Sequence, residues 1–210
     1  MRSAVRQEFA WKLRSRSLAL GRRTLIMGVL NTTPDSFSDG GKWAEAEAAI
    51  AHGLEMLDEG ADLLDLGGES TQPNSTPIPV EEEQARVMPV LRGILRARPD
   101  AVLSIDTFHA ETAQMALDAG AEIVNDVSGF LWDPGMAAVC AAAGCGVVLT
   151  HTRGRPQEWR SLPALAQDKV VPLVKNELAL RAAAAVSAGV SRESIVLDPG
   201  FGFGDRKSVV

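Results

Sequence analysis

From residue 24 onward the chain repeats one unit: a short run of consecutive apolar residues, a polar cluster, then a longer stretch with helical spacing. The apolar runs fall at 25–30, 63–66, 102–105, 122–125, 146–150 and 195–197. Each is too short for a helix and apolar on successive positions, the pattern of a parallel strand covered on both faces. Between them, Ile50, Leu54 and Leu57 share one helical face, as do Val87, Leu91, Ile94 and Leu95. Gly60, Gly120, Gly144 and Gly189 each follow a helical stretch, where a left-handed C′ residue is wanted. Asp133-Pro134 offers an N-cap followed by proline at the first helical position. Pro172 makes the fifth helix begin near Val170 or bend there.

Such a right-handed β/α alternation builds either a doubly wound sheet or a TIM barrel. Polar residues and glycines follow every strand rather than one switch point, and no Gly-x-Gly-x-x-Gly opens the first helix. Both features favour the barrel. The expected fold class is therefore α/β, a TIM (β/α)8 barrel that is incomplete, with about six β/α units. A full barrel has eight strands and typically about 250 residues; this chain has 210 and stops just past strand six, so strands seven and eight are expected to be missing. Residues 1–210 read as a single domain. Within residues 1–23, Phe9, Trp11 and Leu13 alternate with polar or small neighbours, and apolar character returns at Leu18 and Leu20 before Gly21-Arg22. That pattern predicts a β-hairpin across the barrel floor rather than a transit peptide, which would avoid Glu8.

Composition excludes several partners. A formal net charge of −6 argues against a nucleic-acid surface. Cys140 and Cys145 are too few for a disulfide framework or zinc cluster and read as buried thiols. No apolar run approaches the ~18 residues of a membrane span, so a cytoplasmic protein with no membrane partner is expected.

The strand ends carry the chemistry. Strand one runs into residues 31–41, Asn-Thr-Thr-Pro-Asp-Ser-Phe-Ser-Asp-Gly-Gly, and strand two into Asp65-Leu66-Gly67-Gly68-Glu69-Ser70-Thr71. Strand three ends at Asp106-Thr107, strand four at Asn125-Asp126, strand five at His151-Thr152-Arg153-Gly154 and strand six at Asp198-Pro199-Gly200. In a barrel these ends share one rim, where catalysis is placed. Carboxylates and an amide at adjacent ends suit a flat heterocycle with paired N–H donors, and glycine loops let backbone N–H groups approach a diphosphate. An asparagine oxygen with phosphate oxygens and waters suits octahedral Mg²⁺. Each residue also has a plainer reading. Asp106 and Asp198 could cap turns, Asn125 could satisfy loop backbone, and Ser70 and Thr71 could be ordinary loop residues. His151 reads as a satisfied strand-end histidine, Asp65 as a hydrogen-bond partner behind the site, and the Glu81–Glu83 run as a solvated first helical turn.

Together these segments resemble the dihydropteroate synthase family. Residues 31–41 are similar to its first loop, Gly67-Gly68-Glu69-Ser70-Thr71 to its second, and residues 104–107, 125–126 and 198–204 to its pterin-site segments, in the same order. The resemblance implies condensation of 6-hydroxymethyl-7,8-dihydropterin diphosphate with p-aminobenzoate in folate biosynthesis, with Mg²⁺ as cofactor. By the same resemblance Asp106, Asn125, Asp198 and Lys207 hold the pterin. Phe37, Ser70, Thr71, Pro73 and Phe203 face p-aminobenzoate and diphosphate, Asn31 reaches the metal, and Asn31, Asp35 and Thr71 serve catalysis. A pterin-binding methyltransferase barrel and an inactive partial barrel are the alternatives, the first disfavoured by the loop-one run.

The sequence departs from the family at Gln72, where arginine is usual, at Asn74, where glycine is usual, and at Asp205, where lysine is usual. An arginine lost at 72 removes a bidentate anion contact. The Arg206-Lys207-Ser208 triplet is similar to a segment that the family carries after strand seven, here set directly against loop six. That join points to an internal deletion or a chimeric or truncated reading frame, with a coincidental tail as the alternative. Family homodimers form through C-terminal helices that are missing here, so dimerisation is not assumed.

Overall fold

A computed structural model describes residues 6–32, 41–70 and 76–203, with backbone alone at 41–44 and 160. Two strands, β1 (Phe9–Lys12) and β2 (Ser17–Leu20), form an antiparallel hairpin. Six parallel strands follow: β3 (Met27–Asn31), β4 (Leu63–Gly67), β5 (Leu103–Asp106), β6 (Ile123–Asp126), β7 (Gly146–Thr150) and β8 (Ile195–Asp198). They lie side by side in chain order, and among the described residues β3 and β8 form the edges of an open sheet. The crossovers are α1 (Gly41–Asp58), α2 (Val80–Ala97), α3 (Ala110–Asp118), α4 (Met136–Ala143) and α5 (Gln167–Ser187). Five β/α units and a sixth strand are thus described, the partial barrel of about six units that the sequence pattern predicts.

The alternation of the strands creates two cores. Leu30, Leu64, Leu66, Ile105, Val124 and Val147 face the helices and pack on Val87, Leu91, Ile94, Leu117 and Met136. Leu63, Val102, Ile123 and Val148 face the concave side and meet Trp11 and Leu13 of the hairpin. The hairpin therefore closes the floor, as expected. Leu13 fits a notch at Gly146, where a Cβ would lie 2.6 Å from its Cδ2. The Trp11 indole N–H donates to the Ser194 carbonyl at 2.8 Å, so the tryptophan buries its ring without orphaning its nitrogen.

Four expectations need adjustment. The first, third and fourth strands begin one or two residues later than expected, and five of the six end one residue further on, taking their polar termini into the ladder. Helix α5 starts at Gln167, so Pro172 stands in its second turn rather than at its beginning. Glu83 is not solvated: it is 1% exposed, because it continues the Val87, Val90 and Ile94 stripe of α2. Cys140 and Cys145 are both buried and free, as expected. Asp133 is not the N-cap of the following helix: Gly135 caps α4 and Pro134 precedes it, because Asp133 instead closes a turn, its Oδ1 accepting from the Gly135 N–H at 2.8 Å while its Oδ2 accepts from the Ala110 N–H at the start of α3.

The floor sets a direct test. Leu13→Ala should lose about 2–5 kcal/mol of stability in urea unfolding, because the Gly146 notch cannot collapse onto a smaller side chain. Phe9→Ala, at a position 58% exposed on the same hairpin, should change stability little.

Candidate active site

The parallel register aligns Asn31 with Gly67, Gly67 with Asp106, and Asp106 with Asn125, so these four form one rung across β3 to β6. Side chains on one rung of a parallel sheet point the same way, here to the concave side shared with Asp65 and Ser104 one pleat below. The ladder persists past the rung. Thr32 N–H donates to the Gly67 carbonyl at 2.8 Å, and Thr107 N–H to the Asn125 carbonyl at 3.0 Å. Gly67 is the gap in the rung: a Cβ there would lie 3.3 Å from Asn31 Oδ1 and 3.4 Å from Asp106 Oδ2. Its bare α-carbon lets an amide oxygen and a carboxylate converge from either side.

Behind this rung, Asn125 Nδ2 donates to Asp65 Oδ2 at 2.7 Å. That bond sets the amide so that Asn125 Oδ1 is presented as an acceptor, buried and without a partner among the described residues. Asp65 is 4% exposed, and its Oδ1 is likewise unpartnered there. Asp106 accepts no hydrogen bond from a described side chain or N–H. Burial, reinforced by the charges of Asp65, Asp126, Glu83 and Glu69, pushes its carboxyl well above the usual carboxylate range. Burial also raises Asp65, with the Ser104 hydroxyl and then the Asn125 amide pulling the other way. The wall is rich in acceptors and poor in donors, so it suits a ligand whose edge supplies N–H groups.

Asp198 faces the same side from β8, paired in register with Thr150. Its Oδ1 accepts from the Gly200 N–H at 2.8 Å, so part of the carboxylate holds its own turn. Gly200, at φ +66°, presses against the chain so closely that a Cβ would lie 1.9 Å from the His151 carbonyl oxygen; only glycine fits. The His151 N–H donates to the Asp198 carbonyl at 2.9 Å, and its Nε2 lies 3.0 Å from Glu177 Oε2. His151 is the satisfied strand-end histidine the sequence suggested, with burial lowering its pKa. Phe203 packs edge-on to Trp159 with centroids 5.4 Å apart.

Ser70 closes the described part of the second loop, half-buried beside Glu69. Below that loop, Glu83 Oε2 accepts from Thr112 Oγ1 at 2.5 Å and lies 3.1 Å from His109 Nδ1. The hydrogen bond to Glu83 raises the His109 pKa, and burial raises Glu69. Candidate ligand atoms of Glu69, Glu83 and His109 lie within 4.8 Å of one another. An imidazole nitrogen in that set is a poor match for Mg²⁺, which prefers oxygen; Asn31 Oδ1, at the mouth beside Gly67, is the better match. Asp35, Phe37, Thr71, Pro73 and Lys207 lie outside the described residues, as do Gln72, Asn74 and Asp205. The Glu83–His109–Thr112 group and Arg181 escaped the sequence reading, although each charge sits on an apolar helical stripe: Glu83 with Val87, Val90 and Ile94, and Arg181 with Leu178 and Ala185.

A partial α/β barrel with acceptors gathered at its strand C-termini has the layout of a barrel enzyme, whose site is placed at that rim. Residues 27–209 match the family described as pterin binding enzyme. The chain is 43% identical over 193 residues to the dihydropteroate synthase of Clostridium beijerinckii, covering 92% of this chain and 68% of that one. It is 41% identical over 187 residues to the Bacillus subtilis dihydropteroate synthase, covering 89% and 62%. Dihydropteroate synthase from Xanthomonas albilineans, solved with 4-aminobenzoic acid, superposes with TM-score 0.84 at 42% identity, over 96% of this chain and 70% of that one. The same enzyme in complex with 7,8-dihydropteroate gives 0.79 at 41% identity, over 95% and 68%. The chain belongs to the pterin binding enzyme family, within its dihydropteroate synthases, and spans about two thirds of the length of these relatives.

Asp106→Asn should stabilise the folded chain by on the order of 1 kcal/mol, as expected where a site holds an unfavourable charge. The sign follows from the raised carboxyl. The folded state holds its proton to higher pH than the unfolded chain, with its ordinary value of 3.8, so stability falls as pH rises from that range through the folded value. Thermal melts across pH 4–8 should show a shallower fall for Asp106→Asn than for the parent; equal slopes would contradict this.

Proposed function

We propose that this chain carries dihydropteroate synthase chemistry: joining 6-hydroxymethyl-7,8-dihydropterin diphosphate to p-aminobenzoate, with release of diphosphate, in the cytoplasm. The observation that carries the reading is the acceptor wall of Asn125 Oδ1, Asp65 and the half-buried Asp106, short of donors among the described residues. An aminopyrimidinone edge presents several N–H donors in one plane, which is what such a wall lacks. Support comes also from relatives of that activity at about 40% identity over most of this chain.

In this reading Asp106 and Asn125 accept from the pterin ring, Asp198 accepts through its Oδ2, and Asp65 fixes the Asn125 amide. Lys207 is assigned to the same ring, and Ser70, Thr71, Pro73, Phe37 and Phe203 to p-aminobenzoate and diphosphate, by family resemblance. Catalytic roles go to Asn31, Asp35 and Thr71 on the same ground. The exocyclic carbon–oxygen bond of the pterin breaks with its electron pair leaving on diphosphate. The p-aminobenzoate nitrogen then bonds to that carbon and loses a proton to solvent. Asn31 would be the protein's oxygen ligand for Mg²⁺, whose chemistry is to neutralise charge on the departing diphosphate. The arylamine is already neutral at pH 7, so the residues act by binding, orienting and excluding water rather than as a strong base.

The test is production of 7,8-dihydropteroate from both substrates by the purified chain, followed by chromatography. Formation that EDTA abolishes and Mg²⁺ restores is expected. Asp106→Asn and Asn125→Ala should each lower kcat/KM by about tenfold or more, on the scale of a lost buried hydrogen bond to a charged group. No ring binding and no product from a folded chain would overturn the reading.

A further inference from the structure

Arg181 is a cation 7% exposed in the inner face of α5. Its Nη1 donates to the Thr150 carbonyl at 2.6 Å and its Nη2 to the Thr152 carbonyl at 2.9 Å, one on each side of His151. The guanidinium reaches these carbonyls past Gly129, where a Cβ would lie 2.8 Å from Arg181 Cδ and 2.9 Å from the Thr150 carbonyl oxygen. Glu177, one turn earlier on α5, lies 3.7 Å from Arg181 and 3.0 Å from His151 Nε2. Two charges from one helix thus grip a single strand terminus by both its backbone and its imidazole.

What they grip leads to the site. The His151 N–H holds the Asp198 carbonyl, and the His151 carbonyl is the surface against which Gly200 closes its turn. That turn returns the Gly200 N–H to Asp198 Oδ1. Any shift of His151 therefore moves the Asp198 carboxylate. A buried cation is costly, and an apolar side chain of similar volume commonly stabilises as well or better. Holding a strand end by two carbonyls at once is something an apolar residue cannot do, and the planar fork of arginine can.

We propose that Arg181 and Glu177 are positioning residues that act through His151 to set Asp198 for ring binding. This rests on the functional reading above, in that it takes Asp198 as a ring acceptor. Lysine can replace the charge but not the fork, so Arg181→Lys should recover only part of the function.

The experiment is a double-mutant cycle read by fluorescence titration with 6-hydroxymethylpterin, on Arg181→Lys, Glu177→Ala and Asp198→Asn. Glu177 is 38% exposed on its side chain, so its truncation is expected to leave the fold intact even if the arginine variant does not fold. Each single α5 variant should weaken binding by about tenfold, and by about twofold or less in the Asp198→Asn background. Equal losses in both backgrounds would mean a structural role and would overturn the proposal. Leu178→Ala, on the same helix face, should lower thermal stability yet leave affinity within about twofold. Amide hydrogen exchange of ligand-free protein separates this inference from the functional reading. Glu177→Ala should speed exchange at the His151 and Gly200 N–H groups about tenfold relative to Leu178→Ala. Unchanged exchange would sink the positioning role whether or not pterin binds, whereas faster exchange with no pterin binding by the parent chain would sink the functional reading alone.

Discussion

The whole site depends on parallel ladders that continue into the polar ends of the strands. Asn31, Gly67, Asp106 and Asn125 are ladder residues, held by the pairing that also aligns the apolar rows beneath them. A side chain at the end of a paired strand inherits the rigidity of the sheet, which a free loop cannot supply. The rung is consequently held together although Asp106 is repelled by carboxylates around it and Asn125 Oδ1 has no partner among the described residues. Asp106 keeps its carboxyl with the charges of Asp65 and Asp126 near it, and Asn125 turns inward an oxygen unmet among the described residues. Such a wall costs stability in the empty protein and favours whatever arrives with donors. Strain of this kind is sustained where surrounding structure fixes it, and the two cores do that here.

Those cores divide the work. The outer one joins helices to sheet through Leu64, Leu66, Leu91, Ile94 and Ile105, all essentially inaccessible. The inner one is smaller and is finished by the hairpin, with Trp11 and Leu13 entering from below. Glycine sets how closely backbones approach at three critical points: Gly146 admits Leu13, Gly67 lets Asn31 and Asp106 converge, and Gly200 closes on His151. At the first two the constraint is the space a Cβ would occupy; at the third it is both space and a positive φ. On the opposite rim from the hairpin, α5 reaches over with Arg181 and Glu177, so the mouth of β7 is fixed from the helix layer rather than from within the sheet.

Period and punctuation made most of this frame legible beforehand. Six apolar runs of strand length, each ending in polar residues, gave the sheet and its rim. The alternation of Phe9, Trp11 and Leu13 gave the hairpin and its place. Strand ends were misjudged because polarity was read as the start of a loop, whereas backbone pairing is indifferent to side-chain polarity. Of the two roles that Pro172 suggests, a start near Val170 or a bend, the start does not hold, because proline is accommodated in the second turn of a long helix. Glu83 was read by its neighbours Glu81 and Glu82, when its spacing to Val87, Val90 and Ile94 placed it on the buried stripe. Arg181 had the same signature beside Leu178 and Ala185. What no pattern in one dimension could show is the partner: that Asn125 would donate to Asp65, or that Arg181 would bracket His151, depends on sheet order and crossing geometry.

The central claim is that Asp106, an acceptor unmet among the described residues, takes the N–H edge of a ring. Carbon-13 NMR of its carboxyl, titrated with pH in the free protein and at saturation with 6-hydroxymethylpterin, tests it directly. The account predicts a midpoint well above the ordinary carboxylate range in the free protein and a clear downward move on saturation, because ring N–H donors favour the ionised form. A midpoint unmoved by a pterin that demonstrably binds would contradict it.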